Sequence, residues 1–165
     1  MISFGERVRS PVEMMRKAIE SHAKDIRVAM PGVVQSWDPE SQTAEIQLSV
    51  QEKIQLDGEQ EWVDLPILVD VPLALPRAGG HLLAVAINPG DECWVWFADM
   101  CYDAAWQSGG ISNLQIDSRR HDLSDSFFTP TTFSQPKRIT GYPTSGIQLR
   151  SEDGGSMLSV NGGLS

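Results

Sequence analysis

Thr43-Ala44-Glu45-Ile46-Gln47-Leu48-Ser49-Val50 alternates polar and apolar side chains over eight residues, the period of a strand with one buried and one wet face. Upstream, Val33 and Val34 lead into Trp37 and then Asp38-Pro39-Glu40-Ser41. Aspartate, proline and serine are turn formers, so this stretch reads as a half-buried antiparallel hairpin. Downstream, Asp57-Gly58 marks the next reversal, and Trp62 to Asp70 reads as a strand in which Pro66 imposes an edge or a bulge. Pro72, Pro76, Gly79 and Gly80 punctuate a loop, Leu82 to Ile87 follows as a nearly continuous apolar strand, and Asn88-Pro89-Gly90-Asp91 turns the chain. Cys93 to Ala98 is the most apolar strand, and Trp94, Trp96 and Phe97 are expected to dominate the core. About five short strands at this spacing predict a mainly β chain built on a small, closed or partly open barrel.

Before the strands, Ser10, Pro11 and Glu13 form a helix start: a capping hydroxyl, proline at the first helical position, and a carboxylate three residues after the cap. The helix is expected from Pro11 to about Arg27. Its apolar positions Val12, Met15, Ile19 and Ile26, with His22 completing the steps of three and four, make a seam of roughly two heptads. Such a seam can lie on its own domain, pack against symmetry mates or form a free arm. Val12, Met15, Ile19 and Ile26 are the docking residues expected to meet a neighbour.

After Gly109 the pattern dissolves into glycine, serine, asparagine, proline and threonine as far as Tyr142. A stretch of this length without structure of its own is uncommon within a compact domain, which suggests packing on a neighbour. Then Ile147 and Leu149, the turn Glu152-Asp153-Gly154-Gly155, Leu158 and Val160, and Asn161-Gly162-Gly163 give two very short strands with glycine-rich reversals. Two strands with so few apolar side chains need a core supplied from elsewhere.

Composition narrows the function classes. The 165 residues are 41% apolar, enough for a real core. No run approaches the roughly 20 apolar residues that cross a bilayer, and Met1 to Ser10 carries charges where a signal peptide is apolar, so a chain made soluble in a cytoplasm is expected. Cys93 and Cys101 lack the paired spacing of a zinc site and read as buried free thiols. The net charge of −9 opposes a polyanionic partner, and no nucleic-acid partner is expected.

The order Leu65-Pro66-x-Leu68-x-Asp70-Val71-Pro72, Gly79-Gly80, Pro89-Gly90-Asp91, Phe97-Ala98-Asp99, Asp103-x-x-Trp106 and Arg120-His121-Asp122-Leu123-Ser124-Asp125 resembles the N-terminal region of the membrane-puncturing central spike proteins of contractile-tailed phages. The resemblance runs from about Met30 to Phe128. It implies an OB-fold-like five-stranded barrel, a trimeric β-helix or β-prism after it, and a mechanical role in the virion baseplate after assembly in the host cytoplasm. The implied partners are two further copies, baseplate hub and tail-tube proteins, a separate tip protein, and transiently the host outer membrane. In such a homotrimer Ile147, Leu149, Leu158 and Val160 would line the threefold axis. No His-x-His occurs among His22, His81 and His121, so no metal-bound apex is expected in these residues, and no cofactor. The expected organisation is an arm and helix over 1–29, the barrel over 30–108, a linker packed on neighbours over 109–145, and the start of a β-helix over 146–165.

Three rival readings compete with this one. A catalytic or metal site would draw on Asp99, Asp103, His121, Asp122 and Asp125, whose spacing matches no ligand or triad pattern. Asp122 and Asp125 are expected to accept backbone hydrogen bonds, Arg120 to pair with an acid, and His121 to be structural, so no enzyme is expected. An OB module binding nucleic acid or oligosaccharide would need aromatic platforms in a groove, basic in the first case. Trp37, Trp62 and Trp106 are candidates for partial exposure, but 13 Lys and Arg face 22 acids. A hub adaptor joining the tail tube to a tip protein keeps the phage assignment and changes the task.

Overall fold

A computed structural model describes residues 11–56 and 59–160. The Ser10 cap, the Asp57-Gly58 reversal and the Asn161-Gly162-Gly163 reversal lie outside them. The chain forms two compact units, 1–131 and 132–165.

In the first unit helix α1 (Pro11–Asp25) ends two residues before the expected Arg27. The strands that follow are β1 (Ala29–Asp38), β2 (Thr43–Leu48), β3 (Gln51–Leu56), β4 (Glu59–Asp64), β5 (Leu68–Pro72), β6 (Arg77–Ala78), β7 (His81–Leu82), β8 (Glu92–Phe97) and β9 (Ser126–Pro130), with the short helix α2 (Asp103–Ser108) between the last two. Five of them form one antiparallel sheet in the order β5-β2-β1-β8-β9. The long central β1 pairs β2 from Gly32↔Leu48 to Asp38↔Thr43 and β8 from Ala29↔Trp96 to Val33↔Glu92. The register shifts between Val34 and Ser36 on β1 and between Ala44 and Ile46 on β2. Irregularities of this kind bend and twist strands, and the sheet curls until its edges meet. Leu73 bridges Phe128 in parallel, and the Ala74 N–H donates to the Phe128 carbonyl at 2.8 Å. The result is a five-stranded, partly open half-barrel.

Its concave face holds Val34, Ile46, Leu48, Leu68, Val71, Val95, Phe97 and Phe128, all buried. Trp37 packs edge-on against Phe128 with ring centroids 6.1 Å apart. At Gly32 a Cβ would stand 2.7 Å from Ile46 Cγ2, so the backbone crosses there only because the residue has no side chain.

Four expectations are corrected. Trp94 and Trp96 do not dominate the core: they share the face of β8 opposite Cys93, Val95 and Phe97, and Trp96 is 42% exposed. A strand apolar on both faces hides which face is inward. The expected strand from Trp62 to Asp70 is two strands, β4 and β5, broken at Leu65-Pro66-Ile67, where proline has no N–H for a ladder. Leu82 to Ile87 is not a strand. Only His81–Leu82 pairs, with Arg77–Ala78, and of the remainder Ile87 alone is buried. Finally, the barrel does not stop at 108. β9 pairs β8 from Cys93↔Pro130 to Phe97↔Ser126 and lies within the stretch expected to be a linker.

The second unit contains a 3₁₀ turn (Gln135–Lys137) and the hairpin of β10 (Ile147–Arg150) with β11 (Met157–Val160). Its register runs from Ile147↔Val160 to Arg150↔Met157, and among the described residues neither strand has another strand partner.

Candidate functional site

The β10–β11 turn is held by its own polar groups. Ser151 Oγ donates to Asp153 Oδ1, the Gly155 N–H reaches the same oxygen at 2.9 Å, and the Ser156 N–H donates to Ser151 Oγ at 2.9 Å. These donors, the Ser151 hydroxyl foremost, hold the Asp153 carboxyl below the usual carboxylate range. Gly154 takes φ +75°, which its lack of a side chain permits. The cross-strand pairs Ile147↔Val160 and Leu149↔Leu158 place four apolar side chains on one face. That face is uncovered: Ile147 is 72% exposed, Leu149 57%, Leu158 64% and Val160 51%. The opposite face is anchored within its unit, where the Arg150 guanidinium donates to the Thr140 carbonyl. The four residues expected to work together therefore share one surface.

The helix seam is exposed too. Val12, Met15 and Ile19 of α1 and Ile26, one residue beyond it, are all exposed, and only the His22–Ile26 end of the seam faces other parts of the unit. Arg16 pairs within the helix with Glu13 at 2.9 Å and with Glu20. Near the helix exit, His22 and Ile26 line a cleft with Asp99, Arg120 and His121.

The acidic constellation divides into three parts. Asp122 turns into its own loop, accepting from the Ser124 hydroxyl and N–H, and both donors, the hydroxyl first, depress its pKa. Asp99 pairs with Arg120 at 2.6 Å and lies 3.3 Å from His121 Nε2, while His121 Nδ1 is 2.8 Å from the Arg27 carbonyl. Asp125 departs from expectation, because its carboxylate does not serve the loop backbone. It is fully buried and takes two hydrogen bonds from Arg119, each 2.9 Å, while Arg119 Nη2 also reaches Asp103 at 2.9 Å.

Cys101, Asp103 and Asp125 bring three possible ligand atoms within 4.8 Å of one another. Arg119 supplies the positive charge among them, with Nη2 3.1 Å from Cys101 Sγ. Asp125 and then Asp103 raise the Arg119 pKa still further above its ordinary value. The arrangement is a charge-assisted clasp that ties 117–125 to α2 and the barrel. Beside it, Tyr102 donates to the Ser126 carbonyl at 2.6 Å, and burial, followed by the charges of Asp125 and Asp103, pushes its phenol up to about 12. Both cysteines are free and buried as expected, and burial pushes the Cys93 thiol up to about 12.

Sequence reasoning missed Arg119, although a basic residue bracketed by Asp117, Asp122 and Asp125 is a signal for such a clasp. It also passed over the exposed apolar loop of Ile111, Leu114 and Ile116, because these residues follow no period. Trp62 and Trp106 are exposed and Trp37 half-buried, broadly as anticipated. Among the described residues no helix is long and apolar enough to cross a membrane.

No curated protein matches the chain. A family model described as the phage protein Gp138 N-terminal domain matches residues 30–131, from the second residue of β1 to the residue after β9. With the matched span covering all but the first residue of the half-barrel and more than half of the sequence, the chain belongs to the phage Gp138 N-terminal-domain family and is a phage structural protein.

Proposed function

We propose that this chain is a subunit of the trimeric central spike at the baseplate of a contractile phage tail, where it helps to pierce the host envelope during genome delivery. The observation that carries this reading is the uncovered apolar face of Ile147, Leu149, Leu158 and Val160. A two-stranded ribbon is at best marginal alone in water, and an apolar face on one is energetically useful only if something covers it. Three copies arranged around an axis bring twelve such side chains together. Each gains up to roughly 1.5–3 kcal/mol when fully buried, and the free ribbon edges can pair between chains. An assembly closed in this way resists local opening, as a part that transmits force along the tail must.

The half-barrel would carry the baseplate hub and tail-tube contacts, and a separate tip protein would complete the spike. The four-residue face is the trimer interface in this reading. Light scattering on the purified full-length protein, and on a variant ending at Tyr142, tests it. The expected results are a trimer and a smaller species respectively; a full-length monomer overturns the reading.

A further inference from the structure

Leu82 to Ile87 has the composition of a strand, yet only Leu82 sits in a ladder. Among the described residues, the backbone N–H and C=O groups of Ala84, Val85, Ala86 and Ile87 make no hydrogen bond. Ile87 is anchored in the core, whereas Leu82, Leu83 and Val85 are exposed. An uncharged apolar stretch with open backbone groups is a template for one more strand. Beside it lies a cleft of about 320 Å³ between Trp37, Leu73, Leu75, Leu82 and Val85, with Arg77 its one charged lining residue. Arg77 has no partner among the described residues.

The same unit holds a piece that complements this surface. β3 and β4 pair only with each other, and the one ion pair among the described residues that leaves this ribbon is Arg27 to Glu52, at 3.9 Å. The two strands carry Glu52, Glu59, Glu61 and Asp64 against Lys53 alone. Trp62 is 60% exposed, with Lys53 Nζ 5.6 Å from its ring centroid. Asp64, two positions on and so on the same face of β4, accepts from the neutral Gln51 amide and pairs with no cation among the described residues. An exposed indole beside a free carboxylate fits an apolar cleft whose charge is an unpaired guanidinium. Within one chain the two stand apart. Trp37 and Leu73 lie where β2 begins, beside the pairs Asp38↔Thr43 and Thr43↔Pro72, and the ribbon leaves just beyond Leu48. A strand of this size is roughly 17–20 Å long, so ribbon and cleft sit at opposite ends of β2.

We propose that the β3–β4 ribbon of one copy docks on the next copy, with the free edge of β4 pairing with Ala84–Ile87, Trp62 entering the cleft and Asp64 meeting Arg77. This rests on the trimer reading given above. The two surfaces differ, so the contact is head-to-tail, and three such contacts can close a ring. They would join the half-barrels to one another, far along the sequence from the hairpin that closes the trimer in the proposed function.

The test is amide hydrogen exchange on the full-length protein, with the mass of each sample taken by light scattering. The Ala84–Ile87 amides are expected to exchange at least about 100-fold more slowly than in an unstructured peptide. W62A and R77E should each remove that protection while the trimer mass and the protection of the Val34 amide in the barrel stay unchanged, and D64R/R77E should restore it. The variant ending at Tyr142 should lose the protection together with the trimer. A trimer in which Ala84–Ile87 exchange at the peptide rate overturns the docking alone. Protection that survives W62A gives the cleft to another occupant and overturns the ribbon, and a swap that fails to restore it overturns the charge pairing. Protection that persists in a monomeric truncated chain places the ribbon on its own cleft and overturns the contact between copies. A full-length monomer overturns the trimer reading itself.

Discussion

The half-barrel and the β10–β11 hairpin use the same local devices to opposite ends. Both reverse direction at an aspartate capped by a serine hydroxyl and a backbone N–H: Asp38 by Ser41 and Glu40, Asp153 by Ser151 and Gly155. Both alternate apolar and polar residues. In the half-barrel the apolar residues of β2, Ala44, Ile46 and Leu48, are at most 3% exposed, because the five-stranded sheet curls around them. In the hairpin the corresponding residues are all more than half exposed. Alternation therefore states only that a face will be buried, and does not say by which chain.

The largest effect that can be used to break this contrast is F128A. It removes a fully buried ring at the closure of the barrel and should cost about 3–5 kcal/mol, read as a lowered urea midpoint by tryptophan fluorescence. If the loss were below about 1 kcal/mol, the half-barrel would not be held by its own core. G32A comes next: the new methyl must displace Ile46, and overpacking of this kind costs about 1–3 kcal/mol. L158K should move the urea midpoint of the barrel by less than about 0.5 kcal/mol, as for an exposed site, while reducing the mass seen by light scattering. A barrel midpoint that fell with L158K as it does with F128A would erase the distinction between the two regions.

The smallest expected effect concerns the turns. Hydrogen bonds, from the serine hydroxyl first, hold the folded pKa of Asp38 and Asp153 below the ordinary aspartate range. The unfolded chain then binds more protons than the folded one in that range. The contribution is complete above the unfolded pKa and is lost as pH falls through the lowered folded values. D38N and D153N should each flatten the acid limb of a stability-against-pH curve, by slightly lowering stability at neutral pH while leaving it nearly unchanged below the folded pKa values.

Much of the half-barrel was legible. The Asp38 turn and the strands expected at Thr43 to Val50 and Cys93 to Ala98 form where turn chemistry and periodicity place them, ending at Leu48 and Phe97, because these signals act over a few residues. β9 was hidden because Ser126-Phe127-Phe128-Thr129-Pro130 is a five-residue strand without alternation, recognisable only when β8 lies beside it. Arg119 was hidden for a related reason. The partners of its guanidinium stand 6 and 16 residues away, and their convergence depends on the placement of α2.

By itself the sequence determined a mainly β chain with an N-terminal helix, apolar faces at Ile46 and Ile147 alike, free thiols and a charge adverse to polyanions. These properties follow from local spacing and composition, which need no knowledge of distant contacts. Only the tertiary structure decided that β9 closes the barrel, that Val95 rather than Trp96 fills it, that Arg119 occupies the acidic cluster, and that the seam and hairpin faces are left open. Each of these depends on which residues far apart in the chain meet, and the curl of the sheet sets that.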